Sequence, residues 1–240
     1  MCIHLTGFTQ VERTSAIIRH PLVVTPDTMV IDAIAQMSSV RALCMTGAAS
    51  SQFADNPSEI QTEARSSCVF VLENNQLIGI FTERDVVRLI AQKRTLASLR
   101  IREVMTHPVI TLRESLFTDL FFAINLLQQH RIRHLPLLDE SDRLVGLLTH
   151  ESLRQISRPG DLLRLRLVAE VMTTQVICTD PGVFMLDIAR LMAKHRVSSV
   201  VLVQARSIGS ETLQIPMGIV TERDLVQFQA LNLNWETCQA

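Results

Sequence analysis

The segment Gly79-Ile80-Phe81-Thr82-Glu83-Arg84-Asp85 returns 139 residues later as Gly218-Ile219-Val220-Thr221-Glu222-Arg223-Asp224. A weaker copy, Gly146-Leu147-Leu148-Thr149-His150-Glu151-Ser152, lies between them. Such self-similarity means that one supersecondary unit is used several times, so the fold is read from the unit. Two copies keep one polar constellation and the third loses it. That pattern suggests a binding device more than a catalyst.

The third copy is the least interrupted. Val176-Ile177-Cys178 reads as a short β run and Asp180-Pro181-Gly182 as a turn. Met185, Ile188, Ala189, Leu191 and Met192 recur at helical spacing. Residues 197–203 form a β-branched run, 204–214 a polar loop and 215–220 a second strand, and Thr221 opens a helix. The unit is β-α-β-β-α, which places the chain in the α/β (α+β) class. In the first copy, residues 22–37 align without a gap to 177–192. Its hairpin, 67–72 and 76–81, turns at Glu73-Asn74-Asn75. An insertion over 40–66 interrupts this copy, with a loop expected at 47–51 and helical turns at 57–65. The second copy has a helix over 116–129 and strands at 135–138 and 144–148. Stretches 99–105 and 161–172 read as linker helices. The repeats therefore fall at 10–95, 96–157 and 158–231. Residues 232–240 read as the start of a fourth, so the chain is expected to be a piece of a longer protein.

Composition narrows the function. Net charge is −1, so no global field recruits nucleic acid or an acidic membrane. Only 4% of residues are aromatic, which makes the core aliphatic. Lys93 and Lys194 are the only lysines, so nearly every cation is an arginine, suited to bidentate contact with carboxylate or phosphate. Five scattered cysteines without metal spacing fit a reducing, cytoplasmic setting. Cys68 and Cys178 read as small core residues. No apolar run reaches the ~18–20 residues needed to cross a bilayer.

The Val-Met-Thr lead-ins at 104–106 and 171–173, the β-α-β-β-α order and the closing G-h-h-T-x-x-D resemble the CBS domain family, named after cystathionine β-synthase. The resemblance spans residues 17–231. It implies that two repeats pack sheet to sheet into a Bateman module with ligand clefts between them, and that the ligand is an adenine nucleotide such as ATP, ADP or AMP. The insertion, the run His130-Arg131-Ile132-Arg133-His134-Leu135-Pro136 and the Arg158-Pro159-Gly160-Asp161 linker resemble the N-terminal sensory regions of bacterial histidine kinases or diguanylate cyclases. A kinase or cyclase output domain is then an expected partner.

Thr82-x-x-Asp85 is, on its own, a helix cap with an acid at the third position. The resemblance adds a role: Asp85 on a ribose diol, Thr82 near ribose or phosphate. Thr221 and Asp224 repeat the pair, whereas Thr149 and Ser152 lack the carboxylate. The resemblance places Arg133 and His134 against the phosphates of the opposite repeat, where copies one and three carry serines. One site follows: Ile80, Thr82, Asp85, Val109, Ile110, Ile132, Arg133 and His134, with the four apolar residues clamping adenine partly through backbone hydrogen bonds. Glu83-Arg84 and Glu222-Arg223 read as solvated first-turn residues, and His130 and His195 as helix C-terminal residues. No nucleophile set or metal cluster emerges, so an enzyme is not expected. The alternative is a structural, dimerising module with vestigial sites. The unpaired third repeat, with a face containing Val197, Val200, Leu202, Ile215, Met217 and Ile219, is expected to pair with a second chain.

Overall fold

The computed structural model describes residues 14–45, 67–118, 120–156, 168–208, 211–232 and 235. Three units follow one another, each with a three-stranded sheet. The first has β1 (Val23–Val24), α1 (Val30–Met45), β2 (Cys68–Glu73), β3 (Gln76–Thr82) and α2 (Glu83–Ala91). The second has β4 (Leu112–Arg113), α3 (Leu120–Gln129), β5 (His134–Leu138), β6 (Leu144–Thr149) and α4 (His150–Ile156). A short α5 (Val168–Val171) precedes the third: β7 (Cys178–Thr179), α6 (Met185–His195), β8 (Ser199–Ile208), β9 (Glu211–Thr221) and α7 (Glu222–Ala230). In every sheet the short first strand pairs parallel with the second, and the second pairs antiparallel with the third. The register shifts at the same place in each hairpin, after Val71, Leu137 and Leu202.

Local chemistry accounts for these elements. Asn74 and Asn75 both hold positive φ (51° and 63°), as a two-residue primed hairpin turn demands and asparagine tolerates. Asp32 sits in the first turn of α1, where the helix dipole favours an acid. On α2, Val86, Val87, Leu89 and Ile90 are buried.

Repeats one and two meet sheet to sheet. Ile18, Cys68, Phe70, Ile80 and Leu147 form a buried cluster between them. Two backbone bridges lock the pairing: Ile18 with Leu147, at 2.9 and 3.0 Å, and Ile80 with Thr106, at 3.1 and 2.8 Å. Each bridge joins a lead-in segment of one repeat to the last strand of the other. The approach is close enough to need glycine. A Cβ on Gly79 would collide with Met105 Sδ, and one on Gly146 would lie 2.5 Å from Ile17 Cγ2.

The third repeat attaches differently, helix to helix. α6 and α7 pack on α1 and α2, and one apolar core runs through both repeats, including Val87, Ile90, Met185, Ile188, Met192 and Leu225. Arg84 bonds Glu222 at 3.3 Å and Arg223 returns the contact to Glu83 at 3.6 Å, a reciprocal pair across this junction.

Several expectations change. The polar stretch 204–214 is not a loop: β8 and β9 run on as an exposed ribbon whose backbone bonds pair Ala205 with Gln214 and Ser207 with Thr212. A two-stranded ribbon in solvent needs hydrogen-bond partners more than apolar side chains, so polarity did not mark its end. Helix α1 continues to Met45, into the expected insertion, while the loop and helical turns expected at 47–51 and 57–65 fall outside the described residues. The linker at 99–105 holds one short turn, Ile101–Glu103, instead of a helix. Cys178 is exposed on a two-residue edge strand, whereas Cys68 is buried. On the third sheet, Val200 and Leu202 face the helices, and Met217 and Ile219, 60% and 59% exposed, lie on the opposite face. Ile80 and Leu147, which occupy Ile219's place in the other repeats, are 8% and 0% exposed.

Candidate functional site

Thr82 ends β3 in an extended conformation and Glu83 begins α2. The Thr82 N–H and hydroxyl both donate to Asp85 Oδ2, at 2.9 and 2.8 Å. Asp85 Oδ1 receives Arg88 at 3.0 Å and, more weakly, the Thr106 hydroxyl at 3.5 Å. The carboxylate is 6% exposed. Burial raises its pKa above the usual value, against the opposing pull of Thr82, Arg88 and Thr106. It is a buried acceptor with one well-used oxygen and one whose weakest partner a sugar hydroxyl could replace.

The third repeat builds the same cap. The Thr221 N–H and hydroxyl donate to Asp224 Oδ2 at 2.8 and 2.7 Å, and the Asp224 N–H returns a bond to Thr221 Oγ1 at 3.3 Å. In the second repeat Thr149 and Ser152 exchange bonds of 3.0 Å in each direction. The helix cap is thus kept in all three repeats, and the carboxylate in two.

Ile80, Thr82, Asp85, Val109, Ile110, Ile132, Arg133 and His134 all line one cleft of about 910 Å³ between repeats one and two. Thr221 and Asp224 do not line it, although Glu222 beside them does. Among the described residues, five arginines line the cleft, Arg84, Arg88, Arg131, Arg133 and Arg196, against two acids, Asp85 and Glu222. Arg131 and Arg196 make no ion pair with a carboxylate among the described residues. The lining is therefore cationic beside an apolar wall.

Three details differ from expectation. His134 is no second cation. Its ring hydrogen-bonds Ser67 Oγ at 2.7 Å, and burial, with Arg133 and Arg84 nearby, pushes its pKa down to about 3. The positive charge opposite Asp85 therefore rests on Arg133. The Ile80 N–H and carbonyl are both paired with Thr106, so its backbone already has its hydrogen-bond partners within the chain. Finally, Glu83 and Glu222 are buried (8% and 3% exposed), and Glu222 ion-pairs with Arg84 and with Arg133. The two glutamates of these first turns are enclosed by the helix-to-helix junction, while the Arg84 side chain stays 49% exposed, as expected of a first-turn residue.

Sequence reasoning missed the contribution of the third repeat: Met192, Ala193, Arg196 and Glu222 wall the cleft. A signal existed. The dipeptide Glu-Arg follows the conserved threonine position in copies one and three only, and an acid-base dipeptide repeated in two copies can pair with itself about a two-fold axis. Among the described residues, no group of three or more His, Cys, Asp or Glu side chains is placed to hold a metal ion, and no helix is long and apolar enough to cross a membrane.

A sequence model of the CBS domain matches residues 58–92, 101–158 and 168–230. The match covers more than half of the chain, which belongs to the CBS domain family. Protein MJ1225 of Methanocaldococcus jannaschii is 25% identical over 177 residues, 68% of this chain and 58% of its own length. Its crystal structure superposes with a TM-score of 0.59 at 20% identity, over 91% of this chain and 72% of that one. Protein MK0525 of Methanopyrus kandleri is 34% identical over 91 residues, 38% of this chain and 45% of its own. An inosine-5'-monophosphate dehydrogenase of Methanocaldococcus jannaschii is 31% identical over 105 residues, 44% of this chain and 19% of that enzyme. The chain spans about half the length of the first curated relatives it matches.

Proposed function

We propose that the chain is a regulatory sensor that takes an adenine nucleotide, ATP, ADP or AMP, into the cleft between its first two repeats. Asp85 holds the ribose diol, Arg133 meets the phosphates, and Ile80, Val109, Ile110 and Ile132 enclose the base. The observation that carries this reading is that Asp85 of one repeat and Arg133 of the next line a single cleft of ligand size. The arginine excess supports an anionic ligand. Thr221 and Asp224 form a second, weaker candidate on the third repeat. Ligand would shift how the repeats pack and pass that shift to an output domain, of the histidine kinase or diguanylate cyclase kind that the 130–136 run and the 158–161 linker resemble. The partial match to a dehydrogenase supports attachment to an output unit without making this chain an enzyme. A thermal-shift screen of adenosine, AMP, ADP and ATP against guanine and pyrimidine nucleotides tests the ligand class. A ligand at 100 times its Kd should add about 2.7 kcal/mol. A screen in which no adenine compound raises the melting temperature overturns the reading.

The third repeat pairs with the third repeat of a second chain. Its outer sheet face repeats the one that joins repeats one and two, yet Met217 and Ile219 are exposed there. Where Met105 fills the place beside Gly79, a Cβ on Gly218 meets, among the described residues, only Leu202, at 3.8 Å. Met172, the counterpart of Met105, is 53% exposed. One repeat thus carries both an open hole and an unplaced knob, the condition for a self-complementary two-fold contact.

A further inference from the structure

Glu222 belongs to the third repeat, yet its carboxylate lies in the cleft of the first two. It is 3% exposed, and its oxygens meet Arg84 of the first repeat at 3.3 Å and Arg133 of the second. Arg133 is the residue to which the proposed function assigns the phosphates, and Arg84 lines the same wall. Both guanidinium groups remain partly open to solvent, 37% and 49% exposed, while the carboxylate is not. A carboxylate and a phosphate oxygen present the same charge and the same geometry to an arginine fork. Both cannot saturate one guanidinium in a confined cleft.

We infer that Glu222 is a built-in anion that competes with the ligand's phosphate for Arg133 and Arg84, so that only phosphate-bearing ligands release the third repeat from the module. This inference rests on the reading of the cleft as a phosphate-ligand site. A buried carboxylate deprived of its arginines is costly, so Glu222 must leave with its helix turn. Glu222 is the first residue of α7, whose next residue, Arg223, pairs with Glu83 of the first repeat. Losing the Glu222 contacts therefore opens the junction that holds the third repeat. A neutral nucleoside could fill the apolar part of the cleft without touching Glu222. The device distinguishes a phosphorylated ligand from its dephosphorylated form, and linkage requires the converse: whatever tightens the third repeat weakens phosphate binding.

The test compares wild type with Glu222→Gln, which keeps the shape and removes the charge, by calorimetric titration with adenosine, AMP and inorganic pyrophosphate. The expected result is about tenfold or more tighter binding of AMP and pyrophosphate by the variant, with adenosine unchanged. Tighter pyrophosphate without any adenosine or AMP binding upholds the competing anion and overturns the adenine reading alone. AMP and pyrophosphate binding no tighter to the variant overturns the inference, whatever adenosine does. Hydrogen exchange on the wild type decides the matter if the variant does not fold. AMP or pyrophosphate should hasten exchange of the α7 amides and adenosine should not. Unchanged or slowed exchange contradicts the inference.

Discussion

Glu222 of the third repeat ion-pairs with Arg133 of the second, inside a cleft built by the first and second. The other oxygen of Glu222 meets Arg84 of the first repeat, so one carboxylate joins all three repeats. It also means that the cleft and the attachment of the third repeat share an arginine. Changes to either should be felt at the other.

Asp85 has a structural and a proposed binding role, and substitution should divide them. In Asp85→Asn the amide oxygen can still accept from the Thr82 N–H and hydroxyl, so the cap of α2 survives, while the Arg88 pair and the weak bond accepted from the Thr106 hydroxyl are lost. Stability should change by no more than about 1 kcal/mol, because Arg88 is half-exposed and such a pair contributes little. Nucleotide affinity should fall by about 1.5–3 kcal/mol, the worth of a hydrogen bond to a charged group. Denaturant melts and titrations on the same sample check both. An equal loss of stability and affinity would mean that Asp85 is a cap and nothing more.

Arg133→Ala should discriminate ligands by phosphate. ATP and ADP should bind far more weakly and adenosine almost as before. The variant also leaves Glu222 with Arg84 as its remaining arginine, so a moderate loss of stability accompanies the change. A uniform loss across all three ligands would assign Arg133 a purely structural role.

His134 gives a pH dependence with a definite sign. Its folded-state pKa lies near 3, below the usual ~6.5. Between these values the unfolded chain holds the extra proton, so this contribution to stability is present above pH ~6.5 and is lost as pH falls toward 3, by up to about 1.4 kcal/mol per pH unit. Asp85, whose pKa is raised, acts in the opposite sense. The comparison that isolates His134 is wild type against His134→Gln, melted in denaturant from pH 7.5 to 5. The variant should lose less stability over that range, and parallel curves would show that His134 does not titrate as described.

The glycines test how the repeats pair. Gly146→Ala pushes a Cβ into Ile17 and should cost about 1–3 kcal/mol by overpacking. Gly218→Ala meets, among the described residues, only ordinary contact at 3.8 Å, so the dilute protein should melt like wild type. If the third repeats of two chains pair, the same substitution weakens their association. Sedimentation over a wide concentration range should show a dimer for wild type and a weaker one for Gly218→Ala. A wild-type monomer of 27.0 kDa at every concentration rules the pairing out.

Much of the architecture was legible because it is local and repeated. The β-α-β-β-α order follows from periodicities, and Asn74-Asn75 specify their turn by φ alone. The cleft was legible in part: eight residues singled out from two repeats do line one cavity. What escaped was set by contacts between units. The burial of Glu222 depends on α7 packing against α2, which no period within one repeat encodes. His134 reads as a cation in sequence, and its partly buried place beside Ser67, with Arg133 and Arg84 nearby, holds its pKa down. The Ile80 backbone is likewise engaged by Thr106, a residue of the following lead-in segment.

The most direct test of the central claim is calorimetric titration of wild type and Asp85→Ala with ATP, ADP and AMP. At least one of the three should bind the wild type with a stoichiometry of one per first module, and Asp85→Ala should bind it about 10- to 150-fold more weakly, matching 1.5–3 kcal/mol. Equal affinity in both proteins, or no binding heat with any of the three, would contradict the account.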